Sequence, residues 1–442
     1  MININRSIGI SIFEEQIVRA LFTSDCYELL KKLTISNTVY IFTNERISIF
    51  LSKEIILHNI NNIRILVLNE YKEKLIIRPF YFFFRWSDPS TGTLRNLHRE
   101  RENKRITALG LVLRLTLFYS LRNSISLKKI VRKLFFYTFS VEHFKSSQVV
   151  KFPKLDVLFA TAITNTESDL PICLYYKKNK TPIIGTLRSW DNLVTKGTLK
   201  FEPDKFISHS KYMTDTAIGV HGLSKKTIVQ AVTPSYQRKF LKIKTKNSEL
   251  ARNVTYGCIG PILNPDELNF IELLGEISNE VNSIITVVQH PKFVHNLNGR
   301  FTGKINFLSF DYLTSSLIDY YSFLSSQDLV IASGTSFALD TVFVKTPLIG
   351  LSFDVLEQNY WLSHLRSYDF LPHSKQLFEG LNIQRIYNKK DLINAIKSTG
   401  IYSYPPDSKL NVKELLGDIE LNFNELIIDL IYQFGQSSNL SY

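Results

Sequence analysis

The chain has 442 residues, with 53 Lys and Arg against 40 Asp and Glu, so its formal net charge is +13. With 44% hydrophobic residues it is too apolar for a disordered polyelectrolyte, and it is long enough for two or three domains with cores of their own. The basic excess leaves nucleic acid, an anionic membrane surface or phosphorylated ligands open as partners. Its position narrows that choice. Between Arg95 and Lys145 twelve Lys and Arg face only Glu100, Glu102 and Glu142, a net of +9 in one segment.

The N-terminus, MININRSIGISIFEEQ, lacks a cationic start, an unbroken apolar stretch and a small-residue cleavage site, so no secretory signal is expected. Cys26, Cys173 and Cys258 form no CxxC pair, which fits a reducing cytosol without zinc. Residues 7–13 (SIGISIF) predict a strand, and residues 14–33 carry helical spacing. Residues 39–42 (VYIF) and 63–68 (IRILVL) predict two more strands. The most apolar run, 106–121, has 16 residues with Arg114 in its middle. It falls short of the ~20 apolar residues of a spanning helix. The surrounding basic segment reads as amphipathic helix, with Leu and Phe on one side and Lys or Arg on the other.

Strand and helix alternation resumes at 155–160 (LDVLFA), with a helix over 168–179 and strands at 181–185 and 205–210. The polar stretch 238–253 reads as a link. Beyond it come strands at 254–259, 283–288, 305–309, 328–332 and 347–351. Helices are predicted between them at 265–281, 312–325 and 335–344, and a last one over 412–434. The expected fold class is α/β, with two Rossmann-like, doubly wound domains facing across a cleft. Residues 1–237 form the first, with a basic helical insertion at about 95–145, and residues 238–442 form the second together with the C-terminal helix.

In such sheets ligands bind beyond the carboxyl ends of the strands, and four groups of residues fall there. His290-Pro291 follows the strand SIITVV, where an imidazole can bond a phosphate oxygen; the alternative is a surface His at a strand stop. Ser333-Gly334-Thr335-Ser336 opens a helix after DLVIA. Its N–H groups and hydroxyls suit an anion, and a plain N-cap is the alternative. Asp340 lies one turn further on the same face, placed for ribose hydroxyls or simply solvated. In the first half, the loop SWDNLVTKG follows the strand TPIIG. There Ser189, Trp190 and Asn192 offer sugar contacts and Asp191 a general base, or else the loop is held by Asx-turns with Trp190 in the core. Glu14 and Glu15, after the first strand, read as a negative first helical turn.

These residues resemble a family. The order of elements resembles GT-B glycosyltransferases of bacterial surface-polysaccharide (capsule and O-antigen) synthesis, and is similar to UDP-N-acetylglucosamine 2-epimerase. The loop SWDNLVTKG and the stretch from Phe22 to Leu30 look like strings of that group. His290-Pro291 resembles the HP motif of sialyl- and Kdo-transferases, and Ser333–Ser336 their Ser-Ser/Thr motif, both of which hold the phosphate of a CMP-linked donor. CDP-glycerol transferases show a similar turn. The acidic motif of sialyltransferases has no counterpart here, so Asp191 is assigned on local chemistry.

The resemblance implies transfer of a sugar from a nucleotide-sugar, CMP-linked or UDP-linked, to a lipid-linked or growing surface glycan. His290 and Asp191 would be the catalytic pair, with no metal and no further cofactor. The expected location is the cytoplasm, with the basic segment either docked on the anionic inner membrane surface or solvated. A sugar-nucleotide epimerase is the first rival. A non-catalytic member of the group and a nucleic-acid-binding protein are the others, the last without a reading motif to support it.

Overall fold

A computed structural model describes residues 5–23, 28–68, 77–87, 97, 100–101, 104–121, 124–139, 152–164, 168–241, 252–260, 264, 266–290, 301–309, 316–356, 371–398 and 412–437. Of the residues singled out above, Pro291, Cys26, Arg95, Arg99, Glu102, Arg122, Glu142 and Lys145 lie outside them, as do residues 24–27 of the Phe22–Leu30 string. The chain folds into two units. The first comprises Met1–Pro89, Leu113–Gln237 and Gly417–Tyr442, and the second Ser90–Val112 and Arg238–Leu416.

The first unit is built on seven parallel strands: β1 (Ser7–Ser11), β2 (Thr38–Thr43), β3 (Ile63–Val67), β4 (Val157–Ala160), β5 (Ile183–Gly185), β6 (Lys205–Ser208) and β7 (Ile228–Gln230). Their order is β3-β2-β1-β4-β5-β6-β7. Ile8 of β1 sits opposite Val39 on one side and Val157 on the other. Every residue of β4 is buried, as expected of a parallel strand covered on both faces.

The second unit repeats the plan with β8 (Asn253–Gly257), β9 (Ile284–Gln289), β10 (Ile305–Ser309), β11 (Leu329–Ala332), β12 (Leu348–Leu351) and β13 (Arg385–Ile386). They are also parallel, in the order β10-β9-β8-β11-β12-β13. The helix Glu267–Glu280 packs Phe270, Ile271, Leu274 and Ile277 onto Val254, Ile285 and Val287 of this sheet.

The sequence reading misses β7 and β13, both edge strands of two or three residues without an apolar run. It also joins two helices. The predicted helix over 412–434 is Val412–Leu416 and Phe423–Ser437, separated at Gly417, whose φ of 84° no ordinary helix contains. The second of these helices departs from the expected boundary, because it covers the first sheet. Phe423 is buried against Phe159 of β4, its N–H donates to Gln237 Oε1 at 3.1 Å, and the Arg6 guanidinium lies 5.1 Å over the Tyr432 ring.

The basic segment contains the helices Ala108–Leu121 and Ile125–Thr138. The expected division into an apolar inner face and a cationic outer face is broken on the second helix, where both faces are mixed. Lys128 and Arg132 are buried beside Phe135, while Ile130, Leu134 and Tyr137 are exposed. The two cations point at the C-terminal end of the helix Lys211–Gly219. Lys128 Nζ donates to the Val220 carbonyl at 3.0 Å, and Arg132 Nη2 donates to the His221 carbonyl. Those carbonyls carry the negative end of the helix dipole, so each cation has a partner inside the protein, while Arg132 Nε and Nη1 are buried without a hydrogen bond among the described residues.

Candidate active site

Each sheet reverses its strand order once, between β1 and β4 in the first unit and between β8 and β11 in the second. At a reversal the outgoing loops diverge and leave a crevice at the carboxyl ends of the strands. The two crevices are furnished differently.

In the first unit, protein groups satisfy one another at the crevice. Ser11, the last residue of β1, donates through Oγ to Asp169 Oδ1 and accepts from the Thr161 N–H at 3.2 Å. Thr161 Oγ1 donates to the Ser11 carbonyl at 2.6 Å. Asp169 also accepts from the Ala162 N–H at 3.4 Å and from Ser168 Oγ at 3.2 Å. Burial pushes its carboxyl up to about 7, against the lowering effect of these hydrogen bonds. Beside this latch Glu14 pairs with Arg188 at 3.1 Å, and Glu15 pairs with Arg46 at 2.6 Å.

In the second unit the group at the crevice is the Ser333–Ser336 turn, which follows β11 and opens the helix Ser336–Phe343. Ser333 is 1% exposed, and its Oγ has no hydrogen-bond partner among the described residues. Gly334 is pressed against the helix Pro372–Phe378, where an added Cβ would meet Ser374 Oγ at 1.8 Å and Ser374 Cβ at 2.6 Å. Thr335 occupies the N-cap position, yet its hydroxyl lies 3.5 Å from the Ser333 carbonyl and does not cap the helix. The turn therefore combines a helix N-terminus, where anions are favoured, with a buried hydroxyl awaiting an acceptor or donor. His290 follows β9 and is half-buried. With β8 between β9 and β11, the ends of these two strands lie about 10 Å apart along the sheet edge. Gln289 adds a buried Oε1 without a partner among the described residues. Asp340 is half-buried and accepts from Tyr320 Oη at 2.7 Å, which ties it to the helix Leu317–Ser325.

The loop after β5 is tightly held. Trp190 is 7% exposed and Asn192 2%, so the indole packs in protein and does not present a face to solvent. Asp191 is half-buried and accepts from Ser189 Oγ and from Thr195 Oγ1 at 3.0 Å. Asn192 Nδ2 donates to Thr164 Oγ1 at 3.4 Å. Buried His221 binds this loop twice. Its Nδ1 accepts from the Leu199 N–H at 3.1 Å, which makes Nε2 the protonated nitrogen donating to the Leu193 carbonyl at 2.7 Å. Burial is the main cause that lowers this imidazole to about 3, and the nearby Arg132, Lys128 and Lys200 lower it further. Sequence reasoning names neither Asp169 nor His221. A Ser-Asp pair at a helix start reads as a cap, and a lone His carries no pattern.

No protein-family model matches the chain, and no curated protein matches it. Solved structures do. The glycotransferase of kitacinnamycin aligns over 98% of this chain and 99% of its own, at 10% identity and a TM-score of 0.52. MnaA of S. aureus, solved with UDP, aligns over 97% and 96%, at 11% identity and a TM-score of 0.51. The UDP-GlcNAc 2-epimerase of Methanocaldococcus jannaschii, solved with UDP-GlcNAc and UDP, aligns over 97% and 99%, at 14% identity and a TM-score of 0.50. The fold is GT-B. At these identities the likeness carries the architecture and no residue roles. Both glycosyltransferases and epimerases share the GT-B fold with this chain, so the chemistry must be argued from its own side chains. Among the described residues no group of three His, Cys, Asp or Glu is placed to hold a metal, and no helix is long and apolar enough to cross a membrane.

Proposed function

We propose that this protein is a glycosyltransferase that binds the phosphate of a nucleotide-sugar on the Ser333–Ser336 turn. The observation that carries the reading is the contrast between the two strand-order reversals. One is closed by Ser11, Thr161 and Asp169, while the other leaves the buried Ser333 hydroxyl without a partner among the described residues at a helix N-terminus. The GT-B neighbours solved with UDP or UDP-GlcNAc support a nucleotide ligand of this class.

In this reading the turn and His290 hold the donor phosphates and stabilise the charge that grows as the nucleotide leaves. Asp340, held by the Tyr320 hydroxyl, is the proposed partner of a ribose hydroxyl. Asp191 is the base for an inverting displacement. The acceptor hydroxyl loses its proton to the carboxylate, its oxygen bonds the anomeric carbon, and the nucleotide departs with the bonding pair. A lipid-linked or growing surface glycan is the proposed acceptor, and the donor is CMP- or UDP-linked.

The test is a thermal-shift panel of CMP, CDP, UDP, GDP and their sugars, followed by transfer assays. A nucleotide at about 100 times its dissociation constant adds ~2.7 kcal/mol to the folded state. A shift with one nucleotide that is lost in His290→Ala is the expected result, and transfer should fall in both His290→Ala and Asp191→Ala. No shift with any nucleotide overturns the reading. Epimerases of the same fold make a second reading specific. Conversion of UDP-GlcNAc to ManNAc in the absence of any acceptor would replace transfer by epimerisation.

A further inference from the structure

The helix Ile125–Thr138 presents a mixed apolar and cationic outer surface. Ile130, Leu134 and Tyr137 stand at i, i+4 and i+7, so they share one face, and they are 55%, 54% and 69% exposed. Lys129 and Lys133 are exposed beside them. The neighbouring helix Ala108–Leu121 exposes Leu113 and Tyr119, each 57%. Both helices rest on the helix Arg78–Trp86. Phe135 packs against Phe80, Tyr81 and Phe84 at 5.5–5.6 Å, and the Arg114 guanidinium lies 5.4 Å over the Phe82 ring. From Lys104 to Phe139 the chain has eight Lys and Arg and no acid.

We infer that this face docks on an anionic lipid bilayer. Large apolar side chains flanked by lysines on one helix face are the pattern of an interfacial helix lying in the plane of the headgroups. The lysine stems lie along the apolar surface while their ammonium groups reach the lipid phosphates. The inward Lys128 and Arg132 are what free the outer face for apolar residues. Had they pointed outward, as the charge pattern suggests, the surface would be cationic without an apolar centre. A second copy of this chain is the poorer occupant, because a two-fold contact would bring the Lys129 and Lys133 pairs of both copies together. This inference is independent of the nucleotide reading.

The experiment is flotation of the full chain with vesicles of phosphatidylcholine alone and of phosphatidylcholine mixed with phosphatidylglycerol. The wild type should float only with the anionic vesicles and lose binding in high salt. The pair Lys129→Ala and Lys133→Ala should weaken binding roughly thirtyfold, at about 1 kcal/mol per lysine and 1.4 kcal/mol per factor of ten. The pair Ile130→Ser and Leu134→Ser should abolish it at low salt. All four positions are exposed, so unchanged far-ultraviolet circular dichroism and a cooperative thermal transition are expected in both variants. Absence of flotation with anionic vesicles overturns the inference. So does flotation that neither pair of substitutions reduces, and so does a dimer that dissociates on these substitutions without lipid.

Discussion

Ser333→Ala separates a ligand-binding hydroxyl from a structural one by the signs of two measurements. In the free protein the Oγ is buried and makes no hydrogen bond among the described residues. A buried unsatisfied hydroxyl costs about 1–3 kcal/mol, and alanine removes it with almost no change in volume. Unfolding in urea should therefore show the variant more stable than the wild type, by about 1 kcal/mol after a small loss of packing. Ligand binding should move the other way. A hydrogen bond to a charged phosphate oxygen contributes about 1.5–3 kcal/mol, so the nucleotide should bind about tenfold to a hundredfold more weakly by calorimetry. Higher stability with weaker binding is expected only if the hydroxyl is held ready for a ligand. If the variant is less stable and binds the nucleotide as tightly as the wild type, the hydroxyl is structural and the reasoning fails.

Three further substitutions test the framework around it. Asp169→Asn acts on a carboxyl that burial raises to about 7, whose unfolded value is about 4. The folded state then binds the extra proton, so this group's stabilisation is full in acid and is lost as the pH rises toward 7. The variant should gain up to about 4 kcal/mol over the wild type at pH 8 and nothing at pH 4, measured by urea unfolding across that range. Gly334→Ala should destabilise by about 1–3 kcal/mol through its overlap with Ser374, and adding Ser374→Gly should recover part of that loss in the same unfolding assay. Gly417→Ala places a Cβ at φ 84° and 2.4 Å from the His209 carbonyl, so it should cost about 2 kcal/mol or more, read as a lower thermal midpoint.

The sheets were legible because a parallel strand buried on both faces writes a continuous apolar run. LDVLFA and DLVIA mark the fully buried β4 and β11, and the partly exposed β3 and β9 are marked by IRILVL and SIITVV, each within two residues of its observed limits. The turn at Ser333 was legible for the same reason, since Gly, Ser and Thr stand out directly after such a run. Asp169 was not, because its character comes from Ser11, which lies 158 residues away and meets it only when β1 and β4 become neighbours. His221 likewise gains its role from Leu193 and Leu199, which the fold brings to it. The boundary at 237 was visible as a polar stretch. The return of the C-terminal helix to the first sheet was not, since an amphipathic helix carries no record of which sheet it covers.

The basic segment shows where charge counting reaches its limit. A cation in sequence is assumed to face water because burial without a partner is costly. That assumption fails when another helix ends nearby. The carbonyls of Val220 and His221 provide the partner, and Lys128 and Arg132 turn inward to meet it. Burial then lowers the Arg132 guanidinium from its ordinary value, with only the Glu202 charge acting against it. The number of charges is unchanged, but two of them leave the surface, and the opposite face of the helix exposes Ile130, Leu134 and Tyr137. The segment that reads as a cationic arm is thus an apolar face edged with lysine. That difference decides which salt and lipid conditions separate bilayer docking from simple attraction to a polyanion: the latter would survive Ile130→Ser and Leu134→Ser, and docking would not.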